Sequence, residues 1–243
     1  MLSRGFAAHV LLGALAALGL SMVTTSGIDS TRTASPSSTS GPRLDVMVVG
    51  ESLTRQVAGL EAERLRQDGR RAAIVARDSE DLASPFVQAQ VDQAVAEGVP
   101  IVVLETASND AYHGAGTAPP AAWAGALDRY RETLDATLKR LAHQCTVLVD
   151  TRVDDTSPWY ALGRIGPGVD DALAQAARTH PGSVELVRWS ALSARHGSDW
   201  FWSDGLHFGD PDHADRDWHA AGATAFAGAI ASGVQRCAAD RRG

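Results

Sequence analysis

Cysteine is nearly absent from this chain. Two, Cys145 and Cys237, occur in 243 residues, too few for a small scaffold held together by disulfides. Neither lies in the first 42 residues, which excludes lipid attachment through an N-terminal cysteine. Basic residues are also short: 22 Lys and Arg stand against 29 Asp and Glu, a net charge of −7. Nucleic-acid binding calls for a basic face, so that class of partner is excluded. The same balance gives no attraction to anionic lipid headgroups. No internal repeat is visible, and no long apolar segment of the kind that forms a lipase lid. No glycine lies between Gly69 and Gly98, a gap that matters below.

What is present fits one ordinary domain. A hydrophobic fraction of 44% and a charged fraction of 21% are those of a globular protein. Such a domain, of about 200 residues, buries a full core without staples. Ahead of it, Arg4 precedes an apolar stretch from Phe6 to Val23, followed by Thr24-Thr25-Ser26-Gly27. One basic residue, an apolar core and small residues after it predict an export signal over residues 1–27, either cleaved or kept as a membrane anchor. Residues 28–42, rich in Ser, Thr, Gly and Pro, predict a flexible tether. The folded domain is then residues 43–243. In an exported chain an even cysteine count predicts one disulfide, here Cys145–Cys237. Cys145 starts an apolar run and Cys237 ends the last helical pattern, so both fall at the amino ends of the strands.

From Leu44 onward short apolar runs alternate with amphipathic segments, the pattern of a parallel sheet covered by helices. Five strands are expected, at 44–49, 72–75, 101–104, 146–149 and 184–187. Helices are expected at about 53–67, 87–97, 121–141, 169–178 and 217–236. Gly98 is placed to close the second of these. The last is expected to carry acidic residues in its first turn, where the helix dipole favours them.

Three motifs follow these strands: Gly50-Glu51-Ser52-Leu53, Ser108-Asn109-Asp110 and Asp204-Gly205-Leu206-His207. In an open α/β sheet ligands bind outside the carboxyl ends of the strands, so the three motifs are expected to converge there. A hydroxyl, a side-chain amide and an Asp/His pair are the parts needed for acyl transfer. Each has a plainer reading: Ser52 as a helix cap, Asn109 as a turn residue, Asp204 and His207 as an exposed turn. The conjunction in this order favours a serine esterase.

In these motifs the sequence resembles the SGNH, or GDSL-type, hydrolases, over nearly all of Leu44 to Val234. The resemblance implies a flavodoxin-like three-layer α/β/α fold with a five-stranded parallel sheet. It implies Ser52 as nucleophile, Asn109 as oxyanion donor, and Asp204 and His207 as the remaining triad members, with no cofactor. Three departures stand out. Glu51 replaces the family's Asp before the serine, adding a methylene that need not disturb the nucleophile. Ala107 stands where the third block has glycine. The glycine gap removes the second block's usual oxyanion donor, leaving the backbone of Ser79, Asp81 or Ser84 to replace it.

Two clusters complete the reading. His207, Asp210, Asp212, His213, Asp215 and His219 crowd one stretch, but their spacing matches no standard zinc motif, and no metal is expected. Trp159, Tyr160, Trp200, Phe201 and Trp202 fall in loops at the crevice side, where they either contact a sugar or acyl group or cover the sheet. The expected substrate is a small-molecule or glycan ester in the cell envelope or outside the cell. Acyl transfer to a glycan, and non-catalytic glycan binding, are the alternatives.

Overall fold

The computed structural model describes residues 43–115, 119–152, 160–197, 199–210 and 218–240. The signal and tether expected over 1–42, with Trp159, Asp212, His213 and Asp215, lie outside them. Five parallel strands form one sheet: β1 (Val46–Gly50), β2 (Ala72–Ala76), β3 (Ile101–Glu105), β4 (Cys145–Val149) and β5 (Val184–Val187). Their order is β2-β1-β3-β4-β5. β1, β3 and β4 are buried along their whole length. Strands covered on both faces are mostly apolar, which is why these segments read as near-continuous hydrophobic runs, with Thr146 in β4 and Glu105 at the end of β3 as the polar members.

Seven helices complete the described residues: α1 (Ser52–Gln67), α2 (Pro85–Glu97), α3 (Ala107–Ala115), α4 (Trp123–Arg140), α5 (Tyr160–Thr179), α6 (Trp189–Ser193) and α7 (Ala220–Asp240). α1 packs on α7 over one face, while α2, α4 and α5 pack in series over the other, with α3 against α4 and α5. The result is a three-layer α/β/α fold. Ser84 caps α2 by accepting from Val87 N at 3.2 Å, and Gly98 closes it as expected. Cys145 and Cys237 are joined in a disulfide at the amino end of β4, their Cα atoms 5.8 Å apart.

Several boundaries differ from those the sequence predicts. α3 was not among the expected helices; it carries Asn109 in its first turn, with Ala107 and Ala111 burying a small apolar face. A single 3-10 turn, Pro120–Ala122, precedes α4. α5 begins at Tyr160, well before the predicted Val169, and runs through Pro167. α7 starts at Ala220, not Asp217, and its first turn carries no acidic residue. α6 was not expected. Its start is fixed from a distance: Asp150, after β4, accepts from Ser190 N at 2.6 Å and Ser190 Oγ at 2.7 Å.

Candidate active site

The chain leaves β1 for α1 and leaves β3 for α3, and these strands are neighbours in the sheet. This is the switch point, where connections from adjacent strands go opposite ways and open a crevice. Gly50 ends β1 beneath the first turn of α1. A Cβ there would lie 2.2 Å from Thr54 Oγ1 and 2.4 Å from Thr54 Cβ, so the turn closes this tightly only over glycine. Ser52 is therefore presented as the first residue of α1, half-buried at the crevice. It is not the helix cap. Glu51 fills that role, its carboxylate accepting from Ser52 N at 2.8 Å.

The structure brings Ser52, His207 and Asp204 into a line. His207 Nε2 lies 2.9 Å from Ser52 Oγ, and His207 Nδ1 lies 2.6 Å from Asp204 Oδ2. Asp204 Oδ1 also accepts from Leu206 N at 2.9 Å and His207 N at 3.0 Å, which folds the four-residue motif around its own carboxylate. Gly205 takes φ +74° in that turn, a conformation glycine adopts without steric cost. Burial pushes the Asp204 carboxyl up, but the hydrogen bond and charge of His207, with the two backbone donors, outweigh it and hold it below its usual value. An ionised carboxylate only accepts, so Nδ1 carries a hydrogen directed at Asp204, and Nε2 is the ring atom that faces Ser52.

Asn109 joins the same group, though through Glu51. Its Nδ2 donates to Glu51 Oε2 at 2.7 Å, and Ser108 Oγ donates to Glu51 Oε1 at 2.6 Å. Ser52 Oγ also donates to Glu51 Oε2, at 2.5 Å. The Glu51 carboxylate therefore contacts the Ser52 hydroxyl directly.

Below lies a second carboxylate. Glu105 Oε2, at the end of β3, accepts from Thr54 Oγ1 at 3.0 Å and from Glu51 N and Thr54 N, each at 3.3 Å. Burial, then the charge of Glu51, pushes Glu105 well above the usual carboxylate range. Asp110 ties the loop after β2 to α3, accepting from Leu82 N at 2.9 Å and Thr106 Oγ1 at 2.8 Å. Burial pushes its carboxyl up to about 8. In that loop Ser84 N already donates to Asp81 O. Ser79 takes φ +59°, the left-handed region that favours glycine.

Sequence reasoning missed the residues that hold the His207 segment. Gln56, one turn beyond Ser52, accepts from Phe208 N at 2.9 Å and donates to Gly209 O at 3.2 Å. Its i+4 spacing from Ser52 was the available signal. Arg152 donates to Ser193 O at 2.9 Å and His196 O at 2.7 Å, with its guanidinium 4.1 Å from the centre of the Phe201 ring. Phe201 is buried with Trp189, Phe208 and Phe226, and Trp200 stacks between Trp189 and His196. Trp202 is part-buried, and Tyr160 opens α5.

No protein-family model and no curated protein matches this sequence. Solved structures do. The C-terminal catalytic domain of peptidoglycan O-acetyltransferase A from Streptococcus pneumoniae, bearing a methylsulfonyl adduct, is 20% identical, with a TM-score of 0.58 over 81% of this chain and 96% of that one. A GDSL-like lipase from Bacteroides thetaiotaomicron is 12% identical, with a TM-score of 0.57 over 79% and 87%. An acetylxylan esterase from Geobacillus stearothermophilus is 12% identical, with a TM-score of 0.55 over 79% and 94%. At such identities the likeness is one of architecture: the chain has the five-stranded α/β/α fold of the SGNH, or GDSL-type, hydrolases.

Proposed function

We propose that the chain is an exported serine ester hydrolase that removes a short, acetyl-like group from a cell-envelope or extracellular carbohydrate. The observation that carries this reading is the placement of His207 between Ser52 and Asp204, with Nε2 2.9 Å from Ser52 Oγ and Nδ1 2.6 Å from Asp204 Oδ2. In it His207 Nε2 takes the Ser52 proton as Oγ attacks the ester carbonyl, and Asp204 holds the imidazole in the required tautomer. Ser52 N–H and Asn109 Nδ2 hold the tetrahedral oxyanion. His207 then protonates the leaving alkoxide, and water, deprotonated by the same imidazole, releases the acid and restores Ser52. Ser79 or Asp81 is the backbone candidate for a third oxyanion donor. The left-handed backbone of Ser79 supports that residue, while Ser84 N–H is already used. Export through residues 1–27 and a tether over 28–42 fit a domain closed by a disulfide, since such bonds persist in oxidising compartments.

The matched acetylxylan esterase and peptidoglycan O-acetyltransferase support a carbohydrate ester as substrate. The transferase also supports a second reading, in which a glycan hydroxyl replaces water as the acyl acceptor. Ser52→Ala is expected to abolish turnover of p-nitrophenyl acetate while the melting temperature stays close to wild type. Wild-type rates in that variant defeat the assignment. Product analysis with and without a xylo-oligosaccharide or peptidoglycan fragment separates transfer from hydrolysis. Absence of any burst or turnover leaves a binding module.

A further inference from the structure

Both donors, Ser52 N–H and the Asn109 side chain, already have a ligand. Ser52 N–H and Asn109 Nδ2 converge on one atom, Glu51 Oε2, at 2.8 and 2.7 Å. The opposite oxygen, Oε1, is anchored by Ser108 Oγ at 2.6 Å. Glu51 is itself almost wholly buried, 1% exposed. A carboxylate oxygen thus stands between the same donors that would hold the negative oxygen of a tetrahedral intermediate. We propose that Glu51 is the resting occupant of the oxyanion hole, and that the incoming ester carbonyl must displace it. Glu51 then sets the rate of acylation. This rests on the reading of Ser52 as nucleophile.

Three physical arguments support competition. A backbone N–H makes one well-aligned hydrogen bond, so Glu51 and an ester oxygen cannot both hold Ser52 N–H. A serine hydroxyl has one hydrogen. Ser52 Oγ lies 2.5 Å from Glu51 Oε2 and 2.9 Å from His207 Nε2, and a hydrogen given to the carboxylate is withheld from the base. Finally, an oxyanion cannot develop beside an ionised Glu51 without like-charge repulsion. Displacing the Glu51 carboxylate breaks its contacts with Ser52 N–H and Asn109 Nδ2.

The residue type is decisive. Aspartate is one methylene shorter, so its carboxylate reaches less far toward Ser108 Oγ, Asn109 Nδ2 and Ser52 Oγ than that of Glu51. Glutamine keeps the length but removes the charge, weakening each contact, since charge-assisted hydrogen bonds are about twice as strong as neutral ones.

The test measures p-nitrophenyl acetate hydrolysis and the rate of Ser52 sulfonylation by phenylmethylsulfonyl fluoride, followed by intact mass. In the second reaction Ser52 Oγ displaces fluoride at sulfur and its proton passes to His207. Wild type, Glu51→Asp, Glu51→Gln and Ser52→Ala are compared, each checked for its melting temperature. Glu51→Asp is expected to raise both rates about tenfold or more, the worth of one charge-assisted contact, with Glu51→Gln in between. If Glu51→Asp fails to fold, the near-isosteric Glu51→Gln carries the test. Rates equal to or below wild type in the folded variants, with Ser52→Ala still dead, overturn the role of Glu51 and leave the esterase reading intact. No hydrolysis and no Ser52 adduct in wild type or either Glu51 variant removes the nucleophile, and this role with it.

Discussion

Gln56 reaches across from the helix that carries Ser52 to the backbone on the far side of His207, accepting from Phe208 N and donating to Gly209 O. It thereby fixes the distance between two groups that lie 155 residues apart in the chain. Positioning of this kind matters because a misplacement of about 1 Å can cost on the order of 10²-fold in rate. Gln56→Met keeps the shape and removes both hydrogen bonds. The expected result is a kcat lowered about 10- to 100-fold with KM little changed, alongside a stability loss of about 1–2 kcal/mol. Measuring kcat and melting temperature on one preparation checks it: an unchanged kcat with a lowered melting temperature makes Gln56 a structural tie only. The placement of Ser52 and Asn109 was legible in the sequence because their motifs directly follow apolar runs that end at the crevice, whereas Asp204 and His207 showed only through their own spacing. Gln56 and the reach of Glu51 were not legible, because they depend on how far a side chain extends toward a segment distant in sequence.

At the scale of elements, α1 contains a carboxyl that its packing does not accommodate well. Glu61 lies one face round from Ser52, 1% exposed, and neither of its oxygens has a hydrogen-bond partner. Burial pushes its pKa from 4.5 up to about 8. The unfolded chain gives up this proton near pH 4.5 while the native state keeps it to about pH 8, so the unfolded state binds fewer protons across that window. Stability therefore falls as pH rises through it. At pH 7 the deficit is about 3 kcal/mol, from 1.36 kcal/mol per unit over about 2.5 units. Glu61→Leu is expected to recover most of it. In urea unfolding at pH 5 and pH 8 the variant should lose less stability between the two than wild type; an equal loss excludes the assignment. Asp110, also pushed to about 8, keeps a residual slope in both proteins. The strands were readable because burial on both faces demands apolar residues. α3 and α6 were not: one hides a two-alanine face behind polar motif residues, and the other begins where Asp150 from another loop caps it.

For the whole molecule, the disulfide and the Ser52–His207–Asp204 group lie at opposite ends of the sheet. Cys145 opens β4, and its partner Cys237 is near the end of α7, whereas Ser52 and Asn109 follow the carboxyl ends of β1 and β3. The bond closes a loop spanning 92 positions, which holds β4, α5, β5, α6, the Asp204–His207 turn and α7 in one covalent ring. Cross-linking a loop of that length removes conformational entropy from the unfolded chain worth about 4–5 kcal/mol on the chain-entropy model. This is a large part of the 5–15 kcal/mol by which domains are ordinarily stable. The Ser52–His207–Asp204 group is held at the other end of the sheet by Gln56 and by the Asp204 turn. Cys145→Ala with Cys237→Ala is therefore expected to lower the denaturant midpoint markedly. Its kcat on p-nitrophenyl acetate, taken well below the unfolding transition, should stay within about twofold of wild type, because the term acts on the unfolded state rather than on the crevice. A proportionate fall in kcat of the still-folded variant would mean that the bond holds the catalytic segment in register, and that the two ends of the sheet are mechanically coupled through α7.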